Sequence, residues 1–158
     1  MNPLQPLMAL LAQTERERDA AWVEAQRAAE AQGKATSQAD QLLAYRREYE
    51  QRWSVQFKTE GRIELVHCYR GFMDRLTQAV EQQQRVAAHA AAQLEGARAR
   101  LCERELRVAS VRKLIERRRQ ELRLSADRIE QKQTDEFGSR IAWATPAASF
   151  GSGLPNAA

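Results

Sequence analysis

The sequence predicts an all-α protein in which two long helices fold back on each other as an antiparallel coiled-coil hairpin. Three observations predict it. Stepping alternately three and four residues from Val66 through Met73, Val80, Leu94, Val108 and Ile115 to Ile129 visits nineteen positions, of which fifteen are apolar. A 3.5-residue repeat held for about nine heptads, with Arg and Glu between the seam positions, is what one helix needs to wind along another. No proline occurs between Pro6 and Pro146, and Lys58-Thr59-Glu60-Gly61-Arg62 is the one good break between them. Aromatic residues are 6% of the chain and charged residues 29%, so no compact core is being built.

The first helix is expected from about Gln5 to Lys58. Pro3 and Pro6 mark its start, because proline is tolerated in a first turn and excluded from a helix interior. Read back from the break, its seam is Phe57, Trp53, Glu50, Arg46, Leu43, Ala39, Thr36, Gln32, Ala29, Ala25, Trp22, Arg18, Glu15, Leu11, Met8 and Leu4. Ten of these sixteen are apolar, a weaker pattern than on the second helix. Alanine-rich seams bury little area per layer, so the middle of the rod is expected to be held less firmly than its turn end. A break at Gly33 and a three-helix bundle is the competing arrangement; the seam stays in phase from Ala29 to Ala39, which argues against it.

The turn is placed at about residues 59–62, where Gly61 can take a left-handed conformation. So short a connection makes the helices antiparallel. The second helix then runs from about Ile63 to Ile141 and outreaches the first. With the turn centred near Gly61, Leu4 falls opposite Arg118, and Leu122, Ile129 and Phe137 project past the two-stranded part. A lone helix is marginal in water, so this overhang must fray or be held by a partner. The hairpin thus occupies residues 1–141, and 142–158, uncharged and rich in Ala, Ser, Gly and Pro, reads as a disordered tail.

The same composition bears on function. No run of about eighteen apolar residues occurs, so no transmembrane segment is expected, and Met1 to Thr14 lacks a basic start like that of a signal peptide. A cytosolic location follows. Cys68 and Cys102, roughly 50 Å apart on one helix, cannot bridge and are expected to be ordinary buried thiols. His67 and His89 are not spaced for a shared metal, no phosphate-binding loop is present, and a rod has no concave pocket, so neither catalysis nor a cofactor is expected. Between Arg98 and Arg128 lie eleven basic residues against five acidic ones. Nucleic acid or an anionic membrane is one partner class for such a segment. The bases circle the helix with no aromatics among them to stack on, which favours a solvated flank with acidic protein partners.

A second apolar row beside the seam bears on binding. Gln38, Leu42, Tyr45 and Tyr49 recur at helical spacing on the first helix, with Phe72, Leu76 and Ala79 opposite them. Two tyrosines with a phenylalanine and a leucine make an anchor of the kind used in protein docking. Periodicity alone also allows another reading, in which supercoil drift turns these residues partly into the seam.

Several segments resemble the flagellar export protein FliJ family: Leu42-Leu43-Ala44-Tyr45-Arg46-Arg47-Glu48-Tyr49, Tyr69-Arg70-Gly71-Phe72-Met73-Asp74-Arg75-Leu76 through Ala79-Val80-Glu81-Gln82, and Glu130-Gln131-Lys132-Gln133-Thr134-Asp135-Glu136-Phe137. They recur in the family's order and separation, over about residues 4–141. The resemblance implies a non-enzymatic, peripheral component of the flagellar type III export apparatus at the cytoplasmic face of the inner membrane. It implies a rotor-stalk-like rod whose open end enters the hexameric export ATPase FliI, which contacts the cytoplasmic domain of the export gate protein FlhA, and which handles export chaperones. The family's gate-contacting positions fall on Gln38, Leu42, Tyr45, Tyr49, Phe72, Leu76 and Ala79. A further position, histidine in some members, is Gln83 here. For the ATPase, the candidates are Leu4, Leu7, Met8 and Leu11 on one arm and Ile129, Phe137 and Ile141 on the other, with Asp135 and Glu136 either pairing with basic pore residues or simply solvated. A stalk protein of a virulence secretion system is the nearest alternative; the Tyr45, Tyr49 and Asp135-Glu136-Phe137 matches favour the flagellar one.

Overall fold

A computed structural model describes residues 2–145. Helix α1 spans Gln5–Thr59 and helix α2 spans Ile63–Ala144, and the two pack against each other along one seam. At ~1.5 Å per residue they extend roughly 80 and 120 Å. Both Asn2 and Pro6 set the start of α1. The Leu4 N–H donates to Asn2 Oδ1 at 3.1 Å and the Gln5 N–H to the Asn2 carbonyl at 3.0 Å, while Pro6, in the first turn, has no N–H to leave unpaired.

The turn consists of Glu60, Gly61 and Arg62, and it is not left-handed. No described residue has a positive φ, Gly61 included; Glu60 sits at φ −140°, ψ 99° and Arg62 at φ −79°, ψ 132°. Extended backbone suffices because three residues at ~3.3 Å each reach about 10 Å, the distance between the axes of packed helices. A Cβ added at Gly61 meets nothing within 4 Å. Gly61→Ala is therefore expected to raise stability by about 0.4–1 kcal/mol through the unfolded chain, measured as a higher urea midpoint with unchanged slope.

Contacts along the rod fix its register. Tyr49 meets Phe72 with ring centroids 4.3 Å apart, the Gln83 side-chain amide donates to Gln38 Oε1 at 3.0 Å, and Arg104 pairs with Glu17, each couple centred near residue 61. On α2 the buried residues are Leu76, Val80, Leu94, Ala97, Val108, Val111 and Ile115, all of them on the expected seam.

On α1 the expected seam is half right. Ala25 and Ala39 are buried as expected, but Thr14, Ala21 and Ala35 take the inner places assigned to Glu15, Trp22 and Thr36, and Met8 and Trp22 are exposed. Alternate layers of the α1 seam thus lie one residue earlier. Close axes leave room between them for a methyl group and none for an indole, so small side chains take the inner position. Thr14 is accommodated because its hydroxyl donates to the Leu11 carbonyl at 2.9 Å.

Close approach also decides where burial is deepest. Val80, Ala97 and Val108 are each 2% exposed, in the section that faces alanines and Thr14, whereas Trp53, Phe57, Tyr69 and Met73 near the turn remain half-buried. Large aromatics cover more area per layer but cannot be enclosed by two helices alone.

Two further expectations are corrected. Cys68 and Cys102 are exposed, because each sits one residue off the single seam and a two-stranded rod buries nothing else. Helix α2 continues through Ala144, so residues 142–144 of the expected disordered tail are helical; 146–158 lie outside the described residues. Every residue from Arg123 to Thr145 is exposed, so α2 runs on past α1 as a single helix.

Candidate docking surfaces

Six of the chain's ten aromatic side chains gather at the turn end. Tyr45, Tyr49, Trp53 and Phe57 follow one another by single helical turns up α1, with centroid distances of 5.9, 5.9 and 5.3 Å. From α2, Tyr69 lies 5.4 Å from Trp53 and 5.3 Å from Phe57, while Phe72 lies against Tyr49. Each such pair contributes about 0.5–1.5 kcal/mol beyond its area burial, so the ladder stiffens this end and fixes the outermost rings in place.

The seven residues expected to form one gate-facing row divide into two sets. Leu76 is buried in the seam, and Leu42 and Tyr49 are half-buried. The displaced seam of α1 accounts for this, since it passes through residues 35, 42 and 49. Gln38, Tyr45, Phe72 and Ala79 remain exposed on one side of the rod. Gln83 is half-buried, and its amide bridges the helices to Gln38 and, at 3.5 Å, to the Ala35 carbonyl. Sequence reading missed Val86, which is 43% exposed and continues the side row seven residues after Ala79 and fourteen after Phe72. That heptad spacing was the available signal.

At the open end the two candidate sets are not brought together. Leu4, Leu7 and Leu11 are half-buried against α2 and Met8 is exposed. Ile129, Asp135, Glu136, Phe137 and Ile141 are all exposed on the lone part of α2, roughly 15–35 Å farther along the axis than Arg118. Trp143, another omission, is 90% exposed there.

Charges join the arms between these ends. Arg100 pairs with Glu24, Arg104 and Arg107 with Glu17, and Arg112 with Glu15 at 2.7 Å. All are about a third exposed or more, so each is worth under about 1 kcal/mol and serves register more than stability. Arg98 and Arg118 pair within α2, with Glu95 and Glu121. The described residues contain no group of three or more His, Cys, Asp or Glu placed to hold a metal ion, and no helix long and apolar enough to cross a membrane.

Comparison with known proteins supplies a family. No curated protein and no solved structure matches the chain. The family model described as "Flagellar FliJ protein" matches residues 2–146, which takes in both arms, the turn and the overhang. The chain belongs to the FliJ family of flagellar export proteins and is a component of the flagellar protein export apparatus.

Proposed function

We propose that the chain is a stalk linking two machines of that apparatus, with its open end in the hexameric export ATPase FliI and its turn end against the cytoplasmic domain of the gate protein FlhA. The observation that carries this reading is the distribution of exposed apolar side chains. Tyr45, Phe72 and Val86 share one side of the turn half, and Ile129, Phe137, Ile141 and Trp143 lie on the unpaired far end, where four large apolar side chains stand on a single helix. The paired section between also exposes Trp22, Val23, Leu106 and Leu114, but these face away from a seam that α1 and α2 already close. Surfaces of this kind on a protein with no core to spare are binding surfaces.

A rod with one aromatic side is asymmetric, and within a six-fold ring it touches each subunit differently. It then biases which subunits close on nucleotide, to the extent that it binds the closed state more tightly than the open one. Movement of the rod is transmitted to the gate through Tyr45 and Phe72, whose rings are held by Tyr49 and Trp53 behind them. In this reading the chain holds no catalytic group; nucleotide chemistry belongs to the ring. It acts from the cytoplasmic face of the membrane and passes export chaperones between rounds of delivery.

The test is a binding measurement between the gate's cytoplasmic domain and Tyr45→Ala/Phe72→Ala. Loss of two central aromatic anchors is expected to weaken binding by a factor on the order of a hundred or more, while helicity is kept because the seam residues are untouched. Unchanged affinity with intact helicity removes the gate from the proposal.

A further inference from the structure

Along the paired section, arginines of α2 meet glutamates of α1, and the series ends at Arg112 with Glu15. It ends on one side only. Glu15 is the first charged residue of the chain, so the α1 turns before it offer no acid. Helix α2 carries on with Arg119 and Arg123, neither of which has an ion-pair partner among the described residues. Arg112, Arg119 and Arg123 border a notch lined by Met8, Leu11 and Ile115, with Glu116 as the one acid on its wall. The notch lies where α1 begins and α2 goes on alone, and the next apolar seam residue, Leu122, is only half-buried.

We propose that this notch receives an acidic amphipathic helix of a protein partner, laid along α2 in line with α1. Its apolar stripe covers Met8 and Leu122, to either side of the already buried Ile115, and its carboxylates meet Arg119 and Arg123 as Glu15 and Glu17 meet the arginines farther in. The inference deepens the stalk reading and rests on it, since it takes the open end as a binding surface. Charge complementarity identifies the partner: the arginines continue a pattern whose acidic half this chain leaves out. The apolar lining separates a helix from a polyanion, because a phosphate backbone has nothing to fill it and no aromatic borders the notch to stack a base.

The test uses the full chain and a labelled synthetic peptide of roughly three heptads, with leucine at the a and d positions and glutamate at e and g, which repels its own copies. Binding is followed by fluorescence anisotropy beside a lysine-flanked peptide, duplex DNA and phosphatidylserine vesicles. The glutamate peptide is expected to bind, less tightly as salt rises. Arg119→Glu/Arg123→Glu is expected to weaken it by at least roughly tenfold and to gain binding of the lysine peptide, with helicity unchanged because both sites are exposed. Equal binding of both peptides, or tighter binding of DNA or vesicles, overturns the inference. If the glutamate peptide fails but deletion of residues 129–158 still abolishes stimulation of the ATPase, the acidic-helix assignment falls and the stalk stands. If the charge swap works and the ATPase is not bound, the assignment stands and the stalk falls.

Discussion

Val108→Asp is expected to open the free half of the rod and to cost about 4 kcal/mol. Val108 is 2% exposed, and burial of such a side chain is worth about 1.5–3 kcal/mol. The rest comes from placing a carboxylate in the seam without a partner. The register puts Thr14 opposite, whose hydroxyl is already given to the Leu11 carbonyl. Arg104 and Arg112, one turn to either side, are held by Glu17 and Glu15, so recruiting either takes it from an existing ion pair. Val108→Ala loses only methyl groups and is expected to cost about half as much. A rod contacts itself only locally, so the loss is expected to be regional. Hydrogen exchange checks this: amides from Thr14 to Ala25 should lose protection while those flanking the aromatic ladder keep theirs. Uniform loss along both helices would show that the hairpin unfolds as one unit.

Which side chains face inward along the rod was only partly readable in the sequence. On α2 the seam is legible because large residues such as Val80, Leu94, Val108 and Ile115 mark the steps of the repeat, and no neighbouring phase competes. On α1 alanines occur on both sides of the choice, at 21, 25, 28, 29, 35 and 39, so weight falls on Trp22 and Met8, the residues that close packing turns outward. Apolar pattern reports which residues prefer to be buried; axis separation decides which of them fit. The same one-residue displacement took Leu42 and Tyr49 from the proposed docking row into the contact face, leaving Tyr45 and Phe72 as its exposed members.

The ionic series was hidden for a different reason. Arg104 with Glu17 and Arg112 with Glu15 are partners across a turn many residues away, and such pairs follow from the register between helices, which neither helix contains alone. The overhang was legible from length: two helices of 55 and 82 residues that share one turn must end unevenly.

That uneven end carries the largest functional prediction. Deleting residues 129–158 is expected to leave the melting temperature of the hairpin unchanged, because no residue from Arg123 to Thr145 is buried against α1. The same deletion removes Ile129, Phe137, Ile141 and Trp143, which are 56%, 65%, 52% and 90% exposed and gain nothing from the hairpin's own packing. A lone helical segment of this length is marginal in water, so its apolar side chains stabilise it only when something else covers them. In the stalk reading that cover is the ATPase pore, and stimulation of nucleotide hydrolysis is expected to fall to the basal rate of the ring, with at least a roughly hundredfold loss of affinity if two or more anchors act together. Steady-state hydrolysis titrated with full-length and shortened chains reads this directly. Arg119 and Arg123 lie before the cut, so any affinity that survives it is assigned to the notch, and charge reversal there should remove the remainder. Stimulation that survives deletion at full strength would place the ring contact elsewhere on the rod, and the exposed end of α2 would then have no part in driving the motor.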